Sequence, residues 1–348
     1  MDMRVNAKEK MKLVMVGNGM AGVRAIEELL KLAPDLYDIT VFGAEPHPNY
    51  NRILLSPVLA GEQTLDEIVL NSFEWYTENG ITLHAGKKVT EVDRVKRVVK
   101  ASDGTEAEYD RLLICTGSNP FILPVPGKDL QGVIAYRDIA DTNAMIEAAT
   151  KYKHAVVIGG GLLGLEAANG LMLRGMQVTV VHVQPTLMER QLDTVAGGLL
   201  QKSLEERGLK FLMGAQTQEL VGGEDGRVKA IKFKDGTEVP ADLVVMAVGI
   251  RPNTELAQSM RLHVDRGIVV TDTMQTVTDA RIYSVGECAA HRGIAYGLVA
   301  PLFEQAKVAA NHLAEYGIGR YQGSLTSTKL KVTGIDLFSA GNFTGGEG

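Results

Sequence analysis

The chain has 348 residues, more than one hydrophobic core usually organises, so we expect two domains, or two and a fragment. Its formal net charge of -6 gives no reason to expect nucleic acid or an anionic membrane as a partner. Only Cys115 and Cys288 are cysteines, which excludes a disulfide framework, a CxxC redox pair and a four-cysteine iron-sulfur or zinc site within the chain. The histidines form no HxxxH or HxH pair, so no metal site is expected.

The N-terminus, MDMRVNAKEKMKLVMVG, has too short an apolar run for a secretory signal, so a cytoplasmic location is the expectation. One segment, residues 155–173, has the length of a membrane span, but it carries three consecutive glycines and Glu166 at its middle. A buried strand followed by a buried helix explains this composition better than a membrane span does.

Two stretches have the order strand, glycine turn, helix. In the first, an apolar run at residues 13–16 precedes Gly17, Gly19 and Gly22, which open the helical pattern MAGVRAIEELLKL. In the second, residues 155–158 precede a turn and the pattern LLGLEAANGLMLRG, and its fingerprint glycines are Gly159, Gly161 and Gly164. A GxGxxG match is a weak signal alone, but this context is the one that dinucleotide binding requires.

The rest of the chain repeats the same plan. Each turn and helix is followed by a second buried strand, DITVFGAE at residues 38–45 and QVTVVHV at residues 177–183. Each half then has a DGTE hairpin signal, with the Asp-Gly pair fourteen residues before Gly117 in one half and before Gly249 in the other. Asp110 and Asp242 each precede the last apolar strand of their half. The repeat predicts an α/β protein with two doubly wound, Rossmann-like nucleotide-binding domains.

A late strand and helix, RIYSVGECAA and LVAPLFEQAKVAANHLAEYG, have no counterpart that would close the first half. We therefore predict that the chain returns to complete the first domain, which makes that domain discontinuous. The predicted boundaries are 1–121 with 246–318 for the first domain, 122–245 for the second, and 319–348 for the start of a third, incomplete C-terminal unit.

The glycines have distinct chemical tasks. The first permits a tight turn, the second lets a pyrophosphate lie against the backbone, and the third lets helix and strand pack closely. A carboxylate at the end of the second strand would hold an adenosine ribose, and Glu45 fits this role in the first half. In the second half the position is His182, and no acid follows until Glu189. Arg190 is either a 2′-phosphate contact or a solvated side chain, so the choice between NADH and NADPH stays open.

Two dinucleotide sites in one chain suggest that a nicotinamide nucleotide donates a hydride to a tightly held flavin. Direct hydride transfer needs orientation rather than acid-base groups, so no catalytic residue is predicted.

Several stretches carry a resemblance to a known family: VGNGMAG, PNYNRILLSPVLAG, LLICTGSNP, GGGLLGLEAA, LMERQLD, GIRPN, YSVGECA and GLVAP. They span nearly the whole chain. The chain resembles the FAD-dependent pyridine nucleotide reductases, which have a glutathione-reductase-like fold. More narrowly, it is similar to the N-terminal flavin module of the large subunit of NAD(P)H-dependent nitrite reductase.

The resemblance implies that the first domain binds FAD and that NADH or NADPH binds the second domain as substrate. The implied FAD contacts run from adenosine to flavin through Gly17, Gly19, Gly22, Glu45, Asn51, Arg52, Thr116, Gly117, Gly286, Glu287 and a helix beginning near Ala300 and Pro301. The implied nicotinamide nucleotide contacts are Gly159, Gly161, Gly164 and Glu166, with Gly249 at the strand end and His182 left open.

The sequence also departs from the family pattern. Many relatives have aspartate where Glu287 stands, and a lysine that many relatives have near the flavin is missing from the LLSP stretch. No redox cysteine lies in residues 51–61, so electrons must leave the flavin for an acceptor outside this chain.

The expected acceptor is the siroheme and iron-sulfur portion of a larger reductase, and the chain alone should not reduce nitrite. A small iron-sulfur carrier is the alternative, which would make the protein a stand-alone rubredoxin or ferredoxin reductase. An NADH-responsive flavin-binding sensor or scaffold is the rival of another class, and an oxidase that reduces oxygen is a weaker one. A homodimer is a further expectation.

Overall fold

A computed structural model describes residues 9–332 and 334–341. Its α-helices in this part of the chain are α1 (Met20–Leu32), α2 (Leu55–Ala60), α3 (Phe73–Glu78), α4 (Ile139–Lys151), α5 (Leu162–Leu173), α6 (Thr194–Glu205), α7 (Glu255–Ser259) and α8 (Val299–Leu313). Short 3₁₀ turns lie at Arg52–Leu54 and Asp66–Ile68.

The strands of the same residues are β1 (Met11–Val16), β2 (Tyr37–Phe42), β3 (Asn49–Tyr50), β4 (Val69–Asn71), β5 (Thr82–His84), β6 (Val89–Asp93), β7 (Val98–Ala101), β8 (Glu106–Glu108), β9 (Arg111–Ile114), β10 (Ser118–Pro120), β11 (Val133–Ala135), β12 (His154–Ile158), β13 (Gln177–His182), β14 (Lys210–Met213), β15 (Thr217–Gly222), β16 (Val228–Phe233), β17 (Glu238–Pro240), β18 (Leu243–Met246), β19 (Ile250–Pro252), β20 (Ile268–Val270), β21 (Ile282–Ser284), β22 (Ala289–His291), β23 (Ser327–Lys329) and β24 (Phe338–Ala340).

The chain divides into two compact units. The first unit contains Met1–Tyr50, Val69–Ser118 and Pro252–Ser324, and the second contains Asn51–Ile68, Asn119–Arg251 and Leu325–Gly348. This grouping differs from the predicted boundaries at residues 51–68, 119–121 and 246–251 and after residue 318. Residues 333 and 342–348 of the predicted third unit lie outside the described residues. Which nucleotide each unit binds remains a prediction.

The first unit is built on a five-stranded sheet in the order β21-β9-β1-β2-β5, with all paired strands parallel. Because side chains alternate along a strand, β1 places Leu13 and Met15 in a core with α1 and α8. Val14 and Val16 point to the other face and pack in a core with the β6-β7 hairpin. Both faces are covered, which explains why β1 reads as a continuous apolar run.

The second unit repeats this arrangement with a parallel sheet in the order β11-β18-β12-β13-β14. Val156 and Ile158 of β12 pack in a core with Ile231 and Phe233 of the β16 hairpin strand. The two sheets confirm the predicted α/β class with two Rossmann-like cores.

The DGTE signals form equivalent hairpins in the two units. Asp103 turns the chain between β7 and β8, where its Oδ1 accepts a hydrogen bond from the amide of Thr105 at 3.1 Å. Asp235 does the same between β16 and β17, accepting from the amide of Thr237 at 2.9 Å. The glycines that follow have positive φ, at 89° for Gly104 and 86° in the second hairpin, as these turns require.

An aspartate closes the base of each sheet in the same way. Asp110 Oδ2 accepts from the amide of Lys12 at 2.9 Å, while the Asp110 amide donates to the Lys12 carbonyl. Asp242 Oδ2 accepts from the amide of His154 at 2.8 Å, and the Asp242 amide donates to the His154 carbonyl. These paired bonds, here called the aspartate clamps, fix the start of β1 against β9 and the start of β12 against β18.

Residues 155–173 form the buried strand β12 and helix α5, as predicted. In the part of the chain that the structure describes, no helix has both the length and the apolar composition to cross a membrane.

Candidate functional site

The first glycine turn joins β1 to α1, beside the point where strand order reverses between β1 and β9. In doubly wound sheets ligands bind at this switch point. Gly17 has φ +104°, and a Cβ there would lie 2.1 Å from the Cys115 carbonyl oxygen. Only glycine fits, because both the backbone conformation and the neighbouring carbonyl exclude a side chain.

The other two glycines of the first turn have different surroundings. Gly19 is the N-cap residue of α1, and a Cβ there would meet nothing within 4 Å. Within the described chain no side-chain hydrogen bond caps this helix end, so its first amides lack a side-chain partner there. Gly22 instead packs against the sheet, since its Cβ would lie 2.8 Å from Met15 Sδ and 3.0 Å from Cys115 Sγ.

Glu45 follows β2 and lies near the turn. Its Oε2 accepts a hydrogen bond from the Tyr50 hydroxyl at 2.7 Å. Asn18, inside the turn, accepts at Oδ1 from the Tyr76 hydroxyl at 2.7 Å, and its carbonyl accepts from Asn49 Nδ2 at 3.0 Å. These bonds hold the turn and the strand end as one frame.

A cavity of about 380 Å³ opens beside the first turn. Gly17 and Thr116 line it at the sheet, Lys87 and Lys88 line it from the loop before β6, and Asn253 lines it from the loop before α7. Thr116 Oγ1 donates to the Asn253 carbonyl at 2.7 Å, and the Asn253 amide donates to the Gly117 carbonyl at 2.8 Å. These polar residues and apolar side chains such as Phe42 and Leu256 together line the pocket.

The strand end at β21 contributes Gly286 and Glu287. The Gly286 amide donates to Gln305 Oε1 at 3.0 Å, which ties this strand end to α8, and Gly286 has φ +92°. Glu287 Oε2 accepts from the Ser118 hydroxyl at 2.7 Å. Ala300 and Pro301 lie in the first turn of α8, as predicted. Proline suits this position because a first-turn amide has no partner within the helix.

The second glycine turn joins β12 to α5, and its first and N-cap glycines have surroundings equivalent to those of Gly17 and Gly19. Gly159 has φ +125°, and a Cβ there would lie 2.1 Å from the Ala247 carbonyl oxygen. Gly161 is the N-cap of α5 and, like Gly19, would place a Cβ in open space. A Cβ on Gly164 would lie 2.0 Å from the Gly159 carbonyl oxygen, so this glycine allows the close contact of helix and turn.

Glu166 is buried in the second unit with both carboxylate oxygens bonded. Its Oε2 accepts from the Ser56 hydroxyl at 2.6 Å, and its Oε1 accepts from the Lys331 amide at 2.9 Å. Burial raises the pKa of Glu166, although these two donors act in the opposite direction. Ser56 belongs to the LLSP stretch that lacks the family lysine.

Asn51 and Arg52 also lie in the second unit. Asn51 Oδ1 caps the short 3₁₀ turn by accepting from the Ile53 amide at 3.2 Å, and Arg52 donates to the Arg137 carbonyl at 2.6 Å. The segment belongs to this unit because α2 packs on α5. A Cβ on Gly170 would lie 2.7 Å from Leu59 Cγ.

His182 ends β13 and is buried, with 8% of its surface exposed. Its Nδ1 accepts from the Gly160 amide at 3.1 Å, and its Nε2 lies 3.0 Å from Glu189 Oε2. Gly249 has φ +109°, and its carbonyl accepts from the Phe121 amide at 2.9 Å. The structure therefore brings the second turn and the β13 strand end together in one unit.

Sequence reasoning missed several members of these sites. Asn253 is one, although it stands in the quoted GIRPN stretch. Lys87 and Lys88 are others, and a double lysine after a glycine is a weak signal. The hydrogen bonds of Ser118 and Gln305 have no local signal, because each partner is remote in sequence.

Residues 11–312 match the model of the family described as "Pyridine nucleotide-disulphide oxidoreductase". The chain belongs to this family. Family membership makes it an oxidoreductase that uses FAD together with NADH or NADPH.

Two curated relatives are from Bacillus subtilis (strain 168). "Nitrite reductase [NAD(P)H]" is 57% identical over 97% of this chain and 42% of the relative. "Assimilatory nitrate reductase electron transfer subunit" is 50% identical over 96% of this chain and 43% of the relative. The chain thus spans about two fifths of the length of these relatives.

Among solved structures, the chain is similar to one described as "Crystal structure of the covalent putidaredoxin reductase-putidaredoxin complex". The TM-score is 0.88 at 30% sequence identity, covering 95% of this chain and 81% of that chain. This likeness agrees with the predicted two-nucleotide fold.

Proposed function

We propose that this chain is the electron-input module of a nitrite reductase-type enzyme. It would take a hydride from NAD(P)H and pass the electrons to an acceptor beyond its own residues. The observation that carries this proposal is the 57% identity to the nitrite reductase of Bacillus subtilis over 97% of the chain.

The residues of the first unit fit the ADP half of FAD. The cavity beside Gly17 has the concave, mostly pre-formed shape of a small-molecule site. The amides at the start of α1 would face the pyrophosphate. Lys88 lines the same cavity, while Lys87 is paired with Asp103 and the lining also includes Glu255. Glu45, beside the turn, would accept from a ribose hydroxyl. Glu287 and the α8 start would serve the flavin end.

The second turn fits the pyrophosphate of a nicotinamide nucleotide. Gly161 leaves open space at the N-terminus of α5, where a pyrophosphate could approach the backbone. This site would admit and release its nucleotide, while the first would retain FAD.

The chemistry of hydride acceptance would come from FAD, which takes two electrons and a proton from the nucleotide and yields electrons to a second acceptor. The chain's own residues would bind, orient and shield the two nucleotides. Direct transfer requires no proton from a side chain, so we propose no acid-base catalytic residue.

The acceptor would lie outside this chain. Cys115 and Cys288 are both buried, and burial raises the pKa of the Cys115 thiol well above its usual value. Neither is placed as an accessible redox thiol. We propose the siroheme and iron-sulfur portion of a larger reductase as the acceptor. A small iron-sulfur carrier is the alternative, and the likeness to a putidaredoxin reductase favours testing it. A homodimer and a cytoplasmic location remain proposals.

The test begins with the visible spectrum of the purified chain, followed by anaerobic titration with NADH and with NADPH. We expect flavin peaks that bleach on titration, rapid reduction of ferricyanide and no reduction of nitrite. Nitrite reduction by this chain alone would contradict the modular proposal. Absence of bound flavin after reconstitution would contradict the FAD site.

Three further measurements separate the alternatives. Steady-state reduction of purified rubredoxin or ferredoxin would identify a stand-alone carrier reductase. Slow reoxidation with every acceptor would favour a sensor, and stoichiometric peroxide or water formation in air would favour an oxidase.

A further inference from the structure

Both ring nitrogens of His182 are hydrogen-bonded within the protein, so the ring has no free nitrogen for a ligand. A Cβ on Gly160 would lie 2.7 Å from His182 Cγ and 2.8 Å from Cδ2, so the middle glycine of the turn is required by the imidazole. Nδ1 accepts the Gly160 amide proton, and this bond fixes the tautomer, because the remaining ring proton must then sit on Nε2. Nε2–H therefore donates to Glu189 Oε2, at 3.0 Å.

Glu189 is brought to the same strand end by a second, independent contact. The amide of the preceding residue, Met188, donates to the Gly160 carbonyl at 3.0 Å. Met188 is buried and has φ 51°, a left-handed conformation uncommon for a residue with a side chain. The loop after β13 is thus bonded to the glycine turn by its backbone as well as by the His182–Glu189 pair.

The Glu189 carboxylate remains open to a ligand. Its side chain is 34% exposed, whereas that of His182 is 9% exposed. Its bond to His182 uses only Oε2, and Oε1 makes no hydrogen bond within residues 9–332 and 334–341. A carboxylate accepts two hydroxyl donors, which is what an adenosine 2′,3′-diol offers.

We propose that Glu189, held by His182, recognises the adenosine ribose and selects NADH over NADPH. This inference rests on the proposed function, since it assigns a substrate to that nicotinamide nucleotide site. The carboxylate would accept from the ribose diol, and it would repel the 2′-phosphate of NADPH, which is an anion. His182 is a positioning residue: it supplies no contact to the ribose but carries the carboxylate to the place where a strand-end acid would stand.

Two dead-end ligands test the proposal on the flavin-loaded protein, ADP-ribose and 2′-phospho-ADP-ribose, measured by calorimetry. We expect the natural protein to bind ADP-ribose more tightly. Glu189→Gln removes the charge but keeps the size, and it should reduce the ratio of the two affinities about tenfold, mainly by weakening ADP-ribose and strengthening the phosphorylated ligand. The second effect should shrink at high salt, because it is electrostatic.

Glu205→Gln is the matched control. Glu205 lies on α6 in the same unit, where it accepts from Gln201 at 2.8 Å, and its substitution removes the same charge far from the turn in sequence. It should leave the affinity ratio unchanged. Glu189→Asp provides a second variant if Glu189→Gln folds poorly, and it should retain the preference for ADP-ribose with weaker binding, since the carboxylate is kept but shortened.

The possible failures are distinguishable. If the natural protein bound neither ligand and NADH did not reduce its flavin, the proposed function would fail together with the inference. If NADH reduced the flavin but the natural protein preferred the phosphorylated ligand, or Glu189→Gln behaved as Glu205→Gln does, only the assignment of Glu189 would be wrong.

Discussion

Gly161→Ala separates nucleotide binding from folding at the second turn. The added methyl group would meet no protein atom within 4 Å, and Gly161 has φ −86°, which alanine adopts freely. The N-cap preference for glycine over alanine and the lower entropy of an unfolded chain with alanine act in opposite directions, so stability should change by less than about 1 kcal/mol.

Nucleotide binding by Gly161→Ala should weaken markedly, because the methyl group would occupy the space through which a pyrophosphate approaches the backbone. Forcing a methyl group into a filled site costs about 1–3 kcal/mol. This range corresponds to an increase in the NADH dissociation constant of roughly 5- to 150-fold. Anaerobic NADH titration measures the change, and thermal unfolding measures stability. The flavin content should not change.

Gly164→Ala is the matched comparison within the same motif. Its Cβ would lie 2.0 Å from the Gly159 carbonyl oxygen, a backbone atom that cannot move aside without opening the turn. This variant should lower the unfolding temperature, whereas Gly161→Ala should not. The reasoning would be refuted if Gly161→Ala bound NADH normally, or if both variants lost stability equally.

Three other predictions follow from the geometry. Gly17→Ala should abolish stable flavin binding and lower the unfolding temperature, since a Cβ there would lie 2.1 Å from the Cys115 carbonyl oxygen; flavin content and thermal unfolding measure this. Asp242→Ala should destabilise the second unit by about 1–3 kcal/mol, because the His154 amide loses its acceptor; chemical denaturation measures the loss, and near-zero change would contradict the role of the clamp. Burial, with a smaller effect of a neighbouring carboxylate, raises the pKa of Asp141 from 3.8 to about 6. The folded state then binds more protons between these values, so this carboxyl should make the unfolding free energy fall as pH rises from about 4 to 6. Asp141→Asn should flatten that slope, and an identical pH profile would refute the assignment.

The glycine turns and hairpins could be predicted because their causes are local. Gly104 and Gly159 have positive φ because of the local turn, and glycine is the residue that adopts this conformation most readily. The residue type therefore predicts the turn. The repeated order of strand, turn, helix and hairpin then fixed the fold class.

Other features depend on contacts between residues far apart in sequence. Thr116 bonds to Asn253 and Ser118 bonds to Glu287. The partners are far apart in sequence, so no local sequence pattern predicts either hydrogen bond. The membership of residues 51–68 depends on the packing of Leu59 at Gly170, which in sequence is simply a glycine within a helical pattern.

The second strand end also depends on a contact between residues that are apart in sequence. The sequence has His182 at the position where a ribose-binding acid is expected, and its next acid is Glu189. The side chain that the structure places beside that position comes from a loop seven residues later. We propose that this hydrogen bond lets a loop residue supply the carboxylate that the strand end itself lacks.

The aspartate clamps hold the base of each sheet in the same way, although the two units have different residues at the end of the second strand. Asp110 and Asp242 hold equivalent backbone bonds, while the strand ends beyond the turns differ, with Glu45 in one and His182 in the other. A substitution at one turn therefore has an equivalent at the other turn, and we propose that the two affect the binding of different nucleotides. Gly19→Ala and Gly161→Ala form such a pair. An effect common to both variants would reflect the shared turn structure, and an effect seen in only one would reflect the nucleotide bound there.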